Sequence, residues 1–210
     1  MTMSAKPILF STPMVQALLD GRKTQTRRII KPQPTWDGRW FSWNGHRPNT
    51  KYGACAGTGL DTKKLMCDSS PYGKRGDYLW VRETFQTLEA KIIYGASPPK
   101  PYVYKDIRWK PSIHMPRRAS RLTLKITNVR VERLQDISED DAQAEGIPPA
   151  EIGKCRYVPT SGERTRAAVR FHDLWDSINA SRGHGWDKNP WVWVICFEVI
   201  RKNIDEIAER

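Results

Sequence analysis

The chain reads as one compact α+β domain with a barrel-like mixed sheet, and three features of the sequence predict it. Residues 121–134 alternate apolar and polar side chains, with Leu122, Leu124 and Ile126 facing inward, as a half-exposed antiparallel strand does. Residues 166–179 set Ala167, Ala168, Phe171, Leu174, Trp175 and Ile178 on one helical face. Between the strand patterns lie stretches rich in proline and glycine, which interrupt regular structure. A length of 210 residues suits a single domain over 1–210 that carries insertions. Short strands, a few short helices and long irregular insertions make an α+β domain. Periodicity leaves the strand order open.

Residues 7–10 predict a first strand, and Met14, Val15, Leu18 and Leu19 an apolar helix face over 13–20. Thr12 and Pro13 suit the cap and first turn, and Gly21 suits the left-handed residue that ends the helix. A strand from Thr24 to Ile30 follows and stops at Lys31-Pro32-Gln33-Pro34. Residues 32–76 form a first insertion, with a hairpin expected at Thr35–Trp40 around Asp37-Gly38. Trp36, Trp40 and Trp43 would pin this insertion to the body or stack on bases. Gly76-Asp77 turns the chain into a strand over 78–85, where Glu83 shares a side with Leu79, Val81 and Phe85. That glutamate is either salt-bridged structure or the polar floor of a pocket.

Residues 86–116 read as a second irregular insertion. The alternation of 121–134 changes phase near Asn128. Ser138-Glu139-Asp140-Asp141 is a capping-box-like helix start, Glu145 falls in the last turn, and Gly146 with Pro148 and Pro149 ends the helix. Residues 150–163 read as loop. Residues 191–197 are apolar on both sides, as a buried central strand is. Residues 201–210 make a short polar tail, helical or frayed.

Lysine and arginine number 35 against 23 acids, a formal charge of +12, which favours an anionic partner such as nucleic acid. No run of apolar residues is long enough for a membrane span, so no membrane partner is expected. Cys55, Cys67, Cys155 and Cys196 are widely spaced, which predicts a reduced, cytoplasmic protein. His46, Cys55 and Cys67 match no common zinc spacing, and Gly53, Gly57 and Gly59 precede no lysine-threonine or lysine-serine pair. No metal site, organic cofactor or nucleoside-triphosphate loop is therefore expected.

Chemistry concentrates in Gly21-Arg22-Lys23-Thr24-Gln25-Thr26-Arg27-Arg28. A lysine desolvated among other cations has a lowered pKa and serves as a base. A threonine hydroxyl needs such a base to become a nucleophile. Residues three apart on a regular strand point to opposite sides, so Lys23 and Thr26 converge only if Lys23 belongs to the turn after Gly21. Without that convergence Lys23 is a solvated cation, Thr26 a strand residue and Glu145 a surface acid.

This motif, followed by Gly76-Asp77-Tyr78-Leu79-Trp80-Val81-Arg82, resembles the ASCH family, whose domain is related to the PUA RNA-binding fold. The resemblance implies a PUA-like mixed β-barrel and covers about half of the chain. Some members are small amidohydrolases that deacetylate acetylcytidine. Their functional lysine falls on Lys23, their threonine on Thr26 and their helix glutamate on Glu145. The full length, with His114-Met115-Pro116-Arg117 and the tryptophan-rich closing strand, also resembles longer ASCH proteins carried by bacteriophages and prophages.

The resemblance implies RNA or a modified nucleoside as ligand, with DNA still open, and hydrolysis of an amide on the base. Lys23 is then the base, Thr26 the nucleophile or its hydrogen-bond partner, and Glu145 the acid that relays protons. Arg22, Arg27, Arg28, Trp80, Arg82, Glu83, His114, Arg117, Arg118 and Trp191 are candidates for stacking and phosphate contact. The alternatives are a ribonuclease using His114 with the lysine cluster, a non-catalytic nucleic-acid-binding phage regulator, and a protein adaptor with a tryptophan-rich interface.

Overall fold

A computed structural model of the protein describes residues 5–36, 41–43, 60–88, 91–97, 107–147 and 166–208. It is an α+β fold built on a five-stranded sheet in the order β1-β5-β8-β9-β2. These strands are β1 (Ala5–Leu9), β2 (Gln25–Ile29), β5 (Tyr78–Arg82), β8 (Thr123–Arg133) and β9 (Trp191–Ile200). Strand β1 runs parallel to β5, and the other pairings are antiparallel. Two short pairs stand apart: β3 (Thr35–Trp36) with β4 (Phe41–Ser42), and β6 (Phe85–Leu88) with β7 (Lys91–Tyr94).

The sheet is open among the described residues, with β1 and β2 as its edges and no backbone ladder between them. Side chains bridge the seam instead: the Arg28 guanidinium donates to the Leu9 carbonyl at 2.7 Å. Helix α1 (Thr12–Leu19) carries the chain from one edge to the other. Ser11 rather than Thr12 is its cap residue, with proline in the first turn. Gly21 leaves the helix at φ 75°, the left-handed conformation expected for it.

Strand β9 is apolar on both sides because each face meets a core. Trp193, Ile195 and Phe197 pack with Ile8, Val15, Leu18, Leu124 and Ile126. Val192 and Val194 face Leu134, Phe171, Trp175 and Trp186, beneath α4 (Arg166–Asn179). The phase change in β8 is a bulge between Ile126 and Asn128, which turns the side chains after it to the other face. Helix α3 (Glu139–Ala144) starts where the Asp141 backbone N–H donates to the Ser138 hydroxyl at 3.1 Å, and Gly146 follows it at φ 88°.

Three expectations need correction. The run 78–85 is not one strand: the sheet strand ends at Arg82 and a separate hairpin begins at Phe85. Glu83 sits at the break, and its carboxylate accepts from Arg121 at 2.8 and 2.9 Å. The second insertion is accordingly not irregular at its start, because β6 and β7 occupy residues 85–88 and 91–94. The first insertion carries α2 (Leu60–Asp68), whose Met66 is fully buried in the main core. Trp43 pins the same insertion, edge-on to Trp193 at 6.3 Å and donating to the Pro32 carbonyl at 2.9 Å. The tail is anchored as well, by the fully buried Ile204 of α5 (Ile204–Ala208). The hairpin turn at 37–40, Trp40, His46, Cys55, Gly53, Gly57, Gly59 and the loop 150–163 lie outside the described residues.

Candidate functional site

The first residue of the site is Lys23, which precedes β2 and so escapes the alternation of a regular strand. Its backbone forms an isolated bridge with Glu145, just beyond α3. The junction is tight because Arg22 and Lys23 donate backbone bonds to the Ala17 carbonyl, and Thr24 donates to Ala144. Gly146 makes this close approach possible: a Cβ there would lie 2.8 Å from the Ala17 Cβ and 3.0 Å from the Lys23 Cβ. Arg22 adds a clamp, donating to the Gly146 carbonyl at 3.0 Å while pairing with Asp20 at 2.7 Å.

The Lys23 ammonium is buried between two acceptors of one residue. It donates to Glu145 Oε2 at 2.9 Å and to the Glu145 carbonyl at 2.7 Å, and lies 5.6 Å from the Phe10 ring centroid. Burial pushes the Lys23 pKa below the usual 10.5, with Arg28 and Arg27 adding to the fall and Glu145 opposing it. Glu145 Oε1 accepts from Arg27 at 3.3 Å, and Arg27 is held in turn by Asp141 at 2.9 Å and Glu132 at 3.3 Å. Arg130 closes the network on Asp141 at 2.8 Å and on Glu132. Burial favours protonation of Asp141, but bonds from Arg130 and Arg27 outweigh it and hold the carboxyl below 3.8. A buried cation is tolerated only when paired and hydrogen-bonded, and each acid in this network meets that need.

Thr26 lies on the opposite side of β2 from Arg27, opposite Ile195. It is 4% exposed, and no hydrogen bond among the described residues engages its hydroxyl. Lys23, Thr26, Arg27, Arg28 and Glu145 nevertheless line one cavity of about 700 Å³, because β2 is an edge strand and the cavity wraps around it. Phe10, Tyr72 and Trp193 wall it toward the β1 edge, and Phe171, Trp175 and Ile178 wall it from α4. Arg28 spans the seam, its guanidinium 5.2 Å from the Phe10 ring centroid. Sequence reasoning missed Phe10, Tyr72, Phe171 and Trp175 as cavity walls, and missed Asp141, Glu132 and Arg130 as the supports of Arg27. The apolar spacing of α4 signalled a buried face, but not that part of it borders a cavity.

The remaining candidates do not line this cavity. Trp80 is core at 8% exposed, with the Arg82 guanidinium 5.4 Å from its ring centroid. Arg82 donates to the Ile113 carbonyl. Glu83 is the structural partner of Arg121, not a pocket floor. His114 sits exposed in a short 3-10 turn. Arg117 pairs with Asp205 at 2.8 Å, and Arg118 borders a separate cavity of about 450 Å³ beside Tyr94 and Lys202. Trp191 is half-buried under Arg133 and Lys63, at 4.5 and 5.3 Å. Arg22 clamps backbone. Among the described residues no three His, Cys, Asp or Glu side chains group to hold a metal ion, and no helix is long and apolar enough to cross a membrane.

No family model matches the chain, and no curated protein matches it. Among solved structures, protein EF3133 from Enterococcus faecalis V583, described with the family label DUF984, is similar at 14% identity. The similarity covers 97% of this chain and 84% of that chain, with a TM-score of 0.43.

Proposed function

We propose that the protein is an ASCH-type amidohydrolase that removes an acyl group from the exocyclic amine of a cytidine-like base. The observation that carries this reading is that Lys23, Thr26 and Glu145 line one cavity, with the lysine nitrogen 2.9 Å from the Glu145 carboxylate. Aromatic side chains on both sides of β2 suit a flat base. On the same reading the open sheet is a PUA-like barrel whose β1–β2 seam is bridged by Arg28. The +12 charge supports RNA or a nucleoside derived from it, with DNA as the alternative polyanion. Cys67 and Cys196 are free thiols, in keeping with a cytoplasmic setting.

In the proposed reaction the neutral Lys23 amine takes the Thr26 hydroxyl proton as Oγ1 bonds to the acyl carbon. The tetrahedral adduct collapses with cleavage of the C–N bond. Glu145 passes the proton from Lys23 to the departing amine nitrogen, leaving the acyl group on Thr26. Water then attacks the ester as Lys23 takes its proton, and Lys23 returns that proton to the departing Thr26 Oγ1, so that the carboxylic acid leaves with the hydroxyl and the neutral amine restored. No metal or organic cofactor enters this sequence.

One observation favours a second reading, a binding pocket without turnover: the Glu145 carbonyl also accepts from the Lys23 amine, which fixes that amine as a structural cation. Incubation of the protein with N4-acetylcytidine between pH 6 and 9, followed by chromatographic separation of cytidine, distinguishes them. The amidohydrolase reading predicts cytidine formation that Lys23→Ala abolishes. Absence of cytidine across that range leaves only binding.

A further inference from the structure

The cations on the cavity wall are unequally satisfied. Lys23 and Arg27 are spoken for by Glu145, Asp141 and Glu132. Arg28, Lys31 and Arg182 line the same cavity and form no ion pair with a carboxylate among the described residues. Arg28 is the telling one. Its named hydrogen bond goes to a backbone carbonyl, and its Nε–H is buried with no partner. A guanidinium keeps its charge and has N–H groups to spare in a planar fork matched to phosphate oxygens. A buried donor left without an acceptor carries a desolvation cost, which an entering anion removes. Burial also lowers the Arg28 pKa, with Tyr72 and Glu145 working against that fall.

The same cavity is lined by Ser11, Tyr72 and Ser112, which carry hydroxyls, and by the exposed cations Lys31 and Arg182. The other part of the wall is apolar and partly open, with Leu9 42% and Ile178 45% exposed. A ligand that satisfies both parts has a flat or apolar body and a doubly acceptor-rich anionic end. We propose that the cavity takes a phosphorylated nucleoside, its phosphate held by Arg28 with Lys31 and Arg182, in preference to the uncharged nucleoside. This deepens the nucleoside reading above and rests on it for the body of the ligand. The phosphate belongs either to a free nucleotide or to the end of a strand, and the recognition chemistry is the same for both.

The test is calorimetric titration of the full chain with cytidine, cytidine 5′-monophosphate and inorganic phosphate, and with a short oligoribonucleotide carrying a 5′-phosphate or a 5′-hydroxyl. The expected result is binding of the monophosphate about tenfold or more tighter than cytidine. Arg28→Gln removes that preference, and Arg28→Lys retains part of it. Thermal melts confirm that both variants fold; should Arg28→Gln not fold, Lys31→Gln/Arg182→Gln, which alters only the rim, must still reduce the preference. A phosphorylated oligonucleotide that outcompetes the mononucleotide assigns the phosphate to a strand end, and the reverse order to a free nucleotide. Equal affinity for cytidine and its monophosphate overturns the phosphate site while leaving the nucleoside reading intact. Inorganic phosphate binding that Arg28→Gln abolishes, with no binding of either cytidine ligand, keeps the anion site and removes the nucleoside. No binding by any of these ligands overturns both.

Discussion

Glu145→Ala is the most informative single change, because it removes a carboxylate shared by two buried cations. The side chains of Lys23 and Glu145 are 2% and 5% exposed, and the Arg27 side chain is fully buried. Breaking a buried ion pair by deleting one partner typically costs about 3–5 kcal/mol. Two features place this case toward the lower end. Lys23 keeps the backbone carbonyl of residue 145 at 2.7 Å, and Arg27 keeps Asp141 and Glu132. A loss of about 3 kcal/mol, at about 2–4 °C per kcal/mol for a chain of this size, lowers Tm by about 6–12 °C. Lys23→Met costs less, since Glu145 retains Arg27. Removing both groups in Lys23→Met/Glu145→Ala should cost at least about 1 kcal/mol less than the two single losses added together. Urea unfolding followed by circular dichroism, with melts in parallel, measures all three. A Tm for Glu145→Ala within about 2 °C of wild type, or strict additivity in the double variant, would refute the buried-pair argument.

Three further outcomes follow from the same geometry. On the proposed reading the reactive form of Lys23 is the neutral amine, so kcat/KM should rise with pH and level off with a midpoint below 10.5, and Glu145→Gln should move that midpoint lower by removing the charge that opposes the fall; a midpoint at or above 10.5 in wild type contradicts this. The folded-state pKa of Asp141 lies below 3.8, so its stabilisation is complete above that value and is lost as pH falls through the folded value. Asp141→Asn should therefore flatten the acid limb of stability measured by urea unfolding from pH 2 to 7, and an unchanged limb counts against the network. Gly146→Ala combines a φ of 88° with a Cβ 2.8 Å from the Ala17 Cβ, and should lose about 1–3 kcal/mol or more; an unaltered melt would show that the Lys23–Glu145 junction is looser than described.

What the sequence disclosed was what local periodicity encodes. The alternation of β8 gave even its bulge, because a phase change is visible without any partner strand. The face of α4 and the two-sided apolarity of β9 were legible for the same reason. Gly21 and Gly146 showed themselves as helix exits, and both have positive φ. Pairings across the chain were not legible. Glu83 looked anomalous on an apolar strand, but nothing near it in sequence pointed to Arg121, 38 residues away. The parallel pairing of β1 with β5 and the seam at β2 belong to strand order, which periodicity does not carry. Helix α2 was hidden because its polar, lysine-rich sequence shows only a weak apolar face, although Met66 is fully buried. At the site, the motif indicated Lys23 and Thr26, whereas Glu145 is held by Arg27 of β2, whose own supports come from β8 and α3. Arg117, Trp80 and Trp191 each have a partner within the fold, Arg82 on the same strand for Trp80 and a residue far away in sequence for the other two, which composition alone does not reveal.

On the proposed reading a buried amine, a hydroxyl and a carboxylate on one cavity hydrolyse an acylated base. The measurement that meets it most directly is acetate release from N4-acetylcytidine by wild type, Thr26→Val and Lys23→Met at matched protein concentration. Turnover by wild type, with a fall of about a hundredfold or more in each folded variant, is the predicted result. Absence of acetate with wild type, or undiminished release by Thr26→Val and Lys23→Met, contradicts the account.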